Sequence, residues 1–186
     1  DFFLSSSMGV IVTAPALTAT LNAYLFLKNV VFRLMTTSFK KDSWAGKYFE
    51  ELKHTGKSFQ KIYIPKLLDK IKSEDIKSYN SFMERMSVFK PMLVMNMLED
   101  PKDSQKAVKI RRSCKEYLGV NLDHLGIIYF DHLQEVALNS RLPIIVYKPN
   151  SVLSQAIYRI SDKILEKGEE LHSPLDISDL NDNYQT

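Results

Sequence analysis

Three uninterrupted apolar runs set the frame of this chain: Pro91–Met97 (PMLVMNM), Leu125–Phe130 (LGIIYF) and Leu142–Lys148 (LPIIVYK). Runs of this length without polar alternation mark strands covered on both faces. Each is followed by a stretch with helical spacing: Pro101–Leu118, Asp131–Asn139 and Asn150–Lys167. Gly119 and Gly168 stand where the first and last of these helices are expected to stop. Repeated strand-helix units imply a parallel sheet, whose ligands gather at the carboxyl edge of the strands. Met8–Thr13 (MGVIVT) reads as one more strand, ended by Ala14-Pro15, and Leu17–Met35 as a long helix with apolar residues on most sides. Thr18 or Thr20 could cap that helix.

Between Thr36 and Phe89 the alternation is interrupted and lysine becomes frequent. Short amphipathic helices are predicted at about Ser43–Lys53, Phe59–Lys72 and Asp75–Val88, with Pro65 breaking or kinking the second. Residues 36–89 thus read as a helical insertion that lengthens one crossover, or as a docking surface for a protein partner. Residues 1–168 form one domain in this reading. Residues 169–186 are polar and acidic and are expected to be disordered.

Composition narrows the classes. A chain of 186 residues with 45% hydrophobic content can bury a real core. A net charge of +3 and a pI near 8.8 are too mild to argue for nucleic acid. One cysteine, Cys114, excludes an internal disulfide and fits a reducing compartment. No run approaches the roughly 18 apolar residues that would span a bilayer. The opening Asp1-Phe2-Phe3-Leu4 is apolar where an amino terminus is usually polar, so the chain is expected to begin inside a domain, with earlier strands missing.

Candidate chemistry is sparse. Gly56-Lys57-Ser58 looks like the end of a phosphate-binding loop, but Glu51 occupies the position where that motif needs glycine, and no strand precedes it. His54, His124, His132 and His172 have no metal-ligand spacing. Asn96 is sharper: its carboxamide could pair with the N6 amine and N7 of adenine at the edge of the sheet. It fits equally a turn-former that bonds local backbone before Glu99-Asp100-Pro101. Lys148-Pro149-Asn150 follows the last expected strand, either as the wall of a base pocket or as an ordinary turn. Asn150 or Ser151 could cap the closing helix.

These residues carry a resemblance. Tyr117–Ala156 resembles the last third of MinD/ParA-type ATPases, closest to the branch that controls flagellar number and placement. Val12-Thr13-Ala14-Pro15 with Asn22-Ala23-Tyr24, Leu93-Val94-Met95-Asn96, and Gln105-Lys106-Ala107 resemble further stretches of that family, in the same order. The resemblance covers about 120 residues and leaves out the helical insertion. It implies an α/β fold of the P-loop NTPase, MinD-like kind: a mostly parallel sheet with helices on both faces, truncated at the N-terminus. It further implies a cytoplasmic ATP-binding switch that forms a homodimer and positions cellular assemblies. Asn96 would contact the adenine, Lys148, Pro149 and Asn150 would line the base pocket, and Asp131 would order its loop. The Walker A and switch motifs, and with them the Mg²⁺ ligands, would precede Asp1, so this chain alone should not hydrolyse ATP. Ala16 and Asn22 replace acidic residues common in the family. A membrane helix like that of MinD is absent from the acidic end. A DNA-binding reading, as in ParA, would use Lys102, Lys106, Lys109, Arg111, Arg112 and Lys115 on one helix.

Overall fold

A computed structural model of the chain describes residues 2–6, 8–54 and 62–172. Three strands, β1 (Val10–Thr13), β2 (Met92–Leu98) and β3 (Asp123–Tyr129), form one sheet in the order β1-β2-β3. Both pairings are parallel; Val10 lies opposite Met92, and Met92 opposite Asp123. The helices are α1 (Phe2–Ser5), α2 (Leu17–Ser38), α3 (Trp44–His54), α4 (Ile64–Glu74), α5 (Ile76–Val88), α6 (Ser104–Leu118), α7 (Leu133–Asn139), α8 (Ile144–Tyr147) and α9 (Val152–His172). The architecture is therefore α/β with a parallel sheet. No helix among the described residues is long and apolar enough to cross a membrane.

The fourth expected strand is absent. Within Leu142–Lys148, residues 144–147 form the single helical turn α8. Arg141, with φ of 56°, and Pro143 turn the chain directly into it. The turn then satisfies its own backbone: Val146 and Tyr147 N–H donate to Pro143 O, and Lys148 N–H donates to Ile144 O. The Ser154 hydroxyl donates to Ile144 O as well. The bonds a strand would have offered a neighbour are thus consumed locally. Two helix boundaries also differ from expectation. Helix α4 begins at Ile64 with Pro65 in its first turn, where a missing N–H costs nothing, so no kink arises. Helix α9 runs through Gly168 to His172. The start of the expected acidic stretch is therefore helical, while 173–186, like Gly56-Lys57-Ser58, lies outside the described residues.

Alternation along β2 sorts the core into two faces. Leu93 and Met95 join Ile11 and the inner sides of α2 and α6, whereas Met92 and Val94 join Leu125, Ile160 and Ile164 beneath α9. Helix α9 approaches β3 closely because residue 126 is glycine: a Cβ there would sit 2.6 Å from Ile160 Cγ1. Two lysines of α9 fasten the amino half of β3, Lys163 Nζ to Leu125 O at 2.8 Å and Lys167 Nζ to Asp123 Oδ2 at 2.9 Å. Gly119 ends α6 in the left-handed region at φ 70°, the conformation glycine adopts most cheaply.

The inserted helices extend the same core. Phe39 and Phe49 meet edge to face, Phe32 and Phe82 lie beside them, and Ile64, Leu67 and Ile71 of α4 are buried in the same cluster. Asp75 joins two of these helices. Its carboxylate accepts from Ser78 N–H and the Ser78 hydroxyl at the start of α5, and from Ala45 N–H in the first turn of α3. Burial alone would raise this carboxyl, but those donors and the Ser43 hydroxyl outweigh it and hold it below its ordinary value.

Among the described residues β1 and β3 each have one side without a partner strand. Gly9 O accepts from Met92 N–H, so in parallel geometry the backbone groups of Ile11 and Thr13 face β2 and those of Val10 and Val12 face outward. The side chains of Val10 and Val12 lie on the α9 side of the sheet, beyond the reach of α9, and are 37% and 61% exposed.

Candidate functional site

At the carboxyl edge the register of β2 breaks. Asn96 and Met97 form an irregularity between Met95 and Leu98, with Met97 at φ 60°. Asn96 Oδ1 accepts from Met97 N–H at 2.9 Å, which stabilises that turn. The local-backbone role of Asn96 is therefore realised. Its Nδ2 amine donates to no group among the described residues, so half of the carboxamide stays available.

Asn96 divides two cavities. One, of about 530 Å³, follows the open edge of β1 past Thr13 and Ala14 to Asn22 and Phe26 on α2. The other, of about 340 Å³, is bounded by Met97, Phe130, Asp131, Gln134, Leu153 and Ile157. Its walls suit a flat, partly apolar group: Met97 is 54% and Phe130 45% exposed, and Leu153 and Ile157 form the α9 side. Its polar groups are Asn96, Asp131 and Gln134. Asp131 Oδ1 accepts from Leu133 N–H at 2.9 Å, which fixes the first turn of α7.

Gln134 is the member that sequence reasoning missed. Its Oε1 is buried and has no hydrogen-bond partner. A buried carboxamide oxygen left alone costs roughly 1–3 kcal/mol, so an N–H donor that met it once the side chain turned toward the cavity would be favoured. The only hint along the chain is a glutamine three positions before Ala137, the buried residue of α7.

Lys148, Pro149 and Asn150 are exposed and border neither of these cavities. They follow the helical turn α8 rather than a strand. Their backbone is tied to the start of α9: Lys148 O accepts from the Ser154 hydroxyl at 2.8 Å, and Pro149 O from Gln155 Nε2 at 3.1 Å. Ser151, not Asn150, caps α9 by accepting from Ser154 N–H. Since α9 runs antiparallel to β3, from Ile157 beside the cavity to Lys167 on Asp123, the loop stands at the carboxyl end of the sheet. Asn96 and Asp131 border one cavity; Lys148–Asn150 do not border it and precede α9, whose Leu153 does. No protein-family model matches the chain, and no curated protein matches it.

Proposed function

We propose that this chain is the base-binding part of an ATP-binding switch of the MinD/ParA type, with the 340 Å³ cavity beside Asn96 as the adenine site. The observation that carries the reading is the pairing of a free amide donor with a buried, partnerless amide acceptor. Asn96 Nδ2 has a hydrogen to give, and Gln134 Oε1 has a lone pair to fill. Adenine presents a matching set, since its ring nitrogens accept and its N6 amine donates. On the edge that carries N7, guanine offers O6 where adenine offers the amine, and would leave the Gln134 oxygen unpaired. Met97 and Phe130 would sandwich the ring, and Asp131 would hold the α7 turn against it.

ATP supplies the bond energy of such a switch when its phosphates are also held. That half of the site would come from strands added at the open edge of β1, where the outward N–H and C=O groups of Val10 and Val12 offer a ladder. The same strands would carry the Mg²⁺ ligands and the phosphate-binding loop. The homodimer, the cytoplasmic setting and the positioning of an assembly such as the flagellar apparatus belong to this reading and rest on the sequence resemblance.

Adenosine and guanosine are the probes, followed by two-dimensional NMR of the full 186-residue chain. The reading expects saturable adenosine shifts at the Asn96 and Gln134 side-chain amides, with Asn96→Ala weakening binding by about 2- to 12-fold, the range of one lost hydrogen bond. Equal binding of guanosine, or shifts confined to other surfaces, overturns it.

A further inference from the structure

The cations of α6 do not form one stripe. Lys106 and Lys109 border a groove shared with Leu17, Leu21 and Tyr24 of α2, and Lys106 is already paired with Asp103 at 2.8 Å. Arg111, Arg112 and Lys115 lie on a different side, where they meet Lys90 in a second cavity of about 620 Å³. This cavity opens at the amino end of the sheet, between the segment entering β2 and the segment entering β3. It is remote from the cavity beside Asn96. Four positive side chains border it and one carboxylate, Asp123, which Lys167 already holds at 2.9 Å.

We infer that this cavity binds a small polyphosphorylated anion. Like charges repel when gathered in one concavity, and a fold that keeps them there without carboxylate partners gains from an anion that neutralises them. None of Lys90, Arg111, Arg112 or Lys115 has an ion-pair partner among the described residues. Arg111 is also positioned in advance. Its Nε donates to Leu122 O at 2.7 Å, which fixes the plane of the guanidinium, and its terminal N–H groups remain for a bidentate contact with phosphate oxygens. Its field reaches the strand behind it: the His124 imidazole is held below its ordinary value by burial first, then by Arg111 and Lys163.

The shape favours a compact anion over a nucleic acid. A duplex presents phosphates along a convex surface and needs cations spread over a long face. Here α6 divides its cations between two grooves on different sides, and only one of the two lacks a paired lysine. A short phosphate chain can meet Lys90, Arg112 and Lys115 together while Arg111 grips one of its ends.

Inorganic triphosphate titrated into the full chain by calorimetry at low salt tests this. The expected result is saturable one-to-one binding, weakened about tenfold by Lys115→Gln and further by Lys90→Gln/Lys115→Gln, each removing a charge-assisted contact. Lys77→Gln, on the exposed side of α5, should leave binding unchanged. Adenosine should not compete, which separates this site from the base cavity. The substituted lysines are exposed, so the thermal midpoint of each variant should match the parent and certify folding. Absence of saturable binding overturns the inference, as does binding indifferent to both variants. Duplex DNA that binds through these residues and is not displaced by triphosphate also overturns it.

Discussion

Replacing Asp75 by alanine should unfasten the inserted helices from one another. Three donors lose their acceptor at once: Ser78 N–H at 3.1 Å, the Ser78 hydroxyl at 2.8 Å and Ala45 N–H at 3.2 Å. Loss of the α5 cap costs about 1 kcal/mol. Ala45 is fully buried, so its orphaned N–H adds roughly 1–3 kcal/mol. The sum, about 2–4 kcal/mol, corresponds to a fall of roughly 4–16 °C in Tm for a domain of this size. Asp75→Asn keeps one acceptor oxygen and should lose about half as much. The pH dependence has a fixed sign. Because the folded carboxyl titrates below its unfolded value, its contribution is complete above the ordinary carboxylate range and disappears as pH falls through the folded value. Urea unfolding followed by circular dichroism, at near-neutral pH and at about pH 3, measures both effects. The gap between parent and Asp75→Ala should narrow in acid. A neutral-pH loss below about 0.5 kcal/mol, or a gap that does not change with pH, would refute the double-cap role.

Three further outcomes follow from the packing. Gly126→Ala drives a methyl into Ile160 and should cost about 1–3 kcal/mol; in a double-mutant cycle Ile160→Ala should recover part of that loss, and strict additivity would count against the close approach of α9. Ser151→Ala removes the α9 cap and leaves the buried Ser154 hydroxyl one partner short, so stability should drop by about 1 kcal/mol, read from the same urea curves. Cys114 is buried and its thiol is pushed up to about 12, leaving roughly a thousandfold less thiolate than a free thiol; iodoacetamide should label it only after unfolding, and prompt labelling of the native chain would contradict its place on the inner face of α6.

The sheet was legible because β1, β2 and β3 each carry a continuous apolar run, although Val10 and Val12 leave one face of β1 exposed. The misreading at Leu142–Lys148 has the same origin. Ile144, Ile145 and Val146 form a short apolar run that composition cannot assign to strand or helix, and Pro143 together with the left-handed Arg141 decided for a helical turn. Boundaries failed where one residue was given too much weight: Pro65 opens a helix it was expected to break, and Gly168 is passed over inside α9. At the site, Asn96 was visible from its place at the end of an apolar run. The bulge that turns its oxygen onto Met97 was not, since nothing in Met95-Asn96-Met97-Leu98 announces a positive φ at Met97. Gln134 was invisible for a different reason: an unsatisfied oxygen exists only once neighbours have filled the space around it. The bond Asp75 accepts from Ala45 N–H spans thirty residues and is likewise a property of the packed state.

The base-site account stands most directly on the side-chain amide of Asn96. With ¹⁵N-labelled protein, its two Nδ2 protons should move and slow their exchange with water as adenosine saturates the chain, together with the Met97 backbone amide, and should do neither with guanosine. Nδ2 resonances that stay fixed while adenosine binds, or adenosine that fails to bind at all, would contradict it.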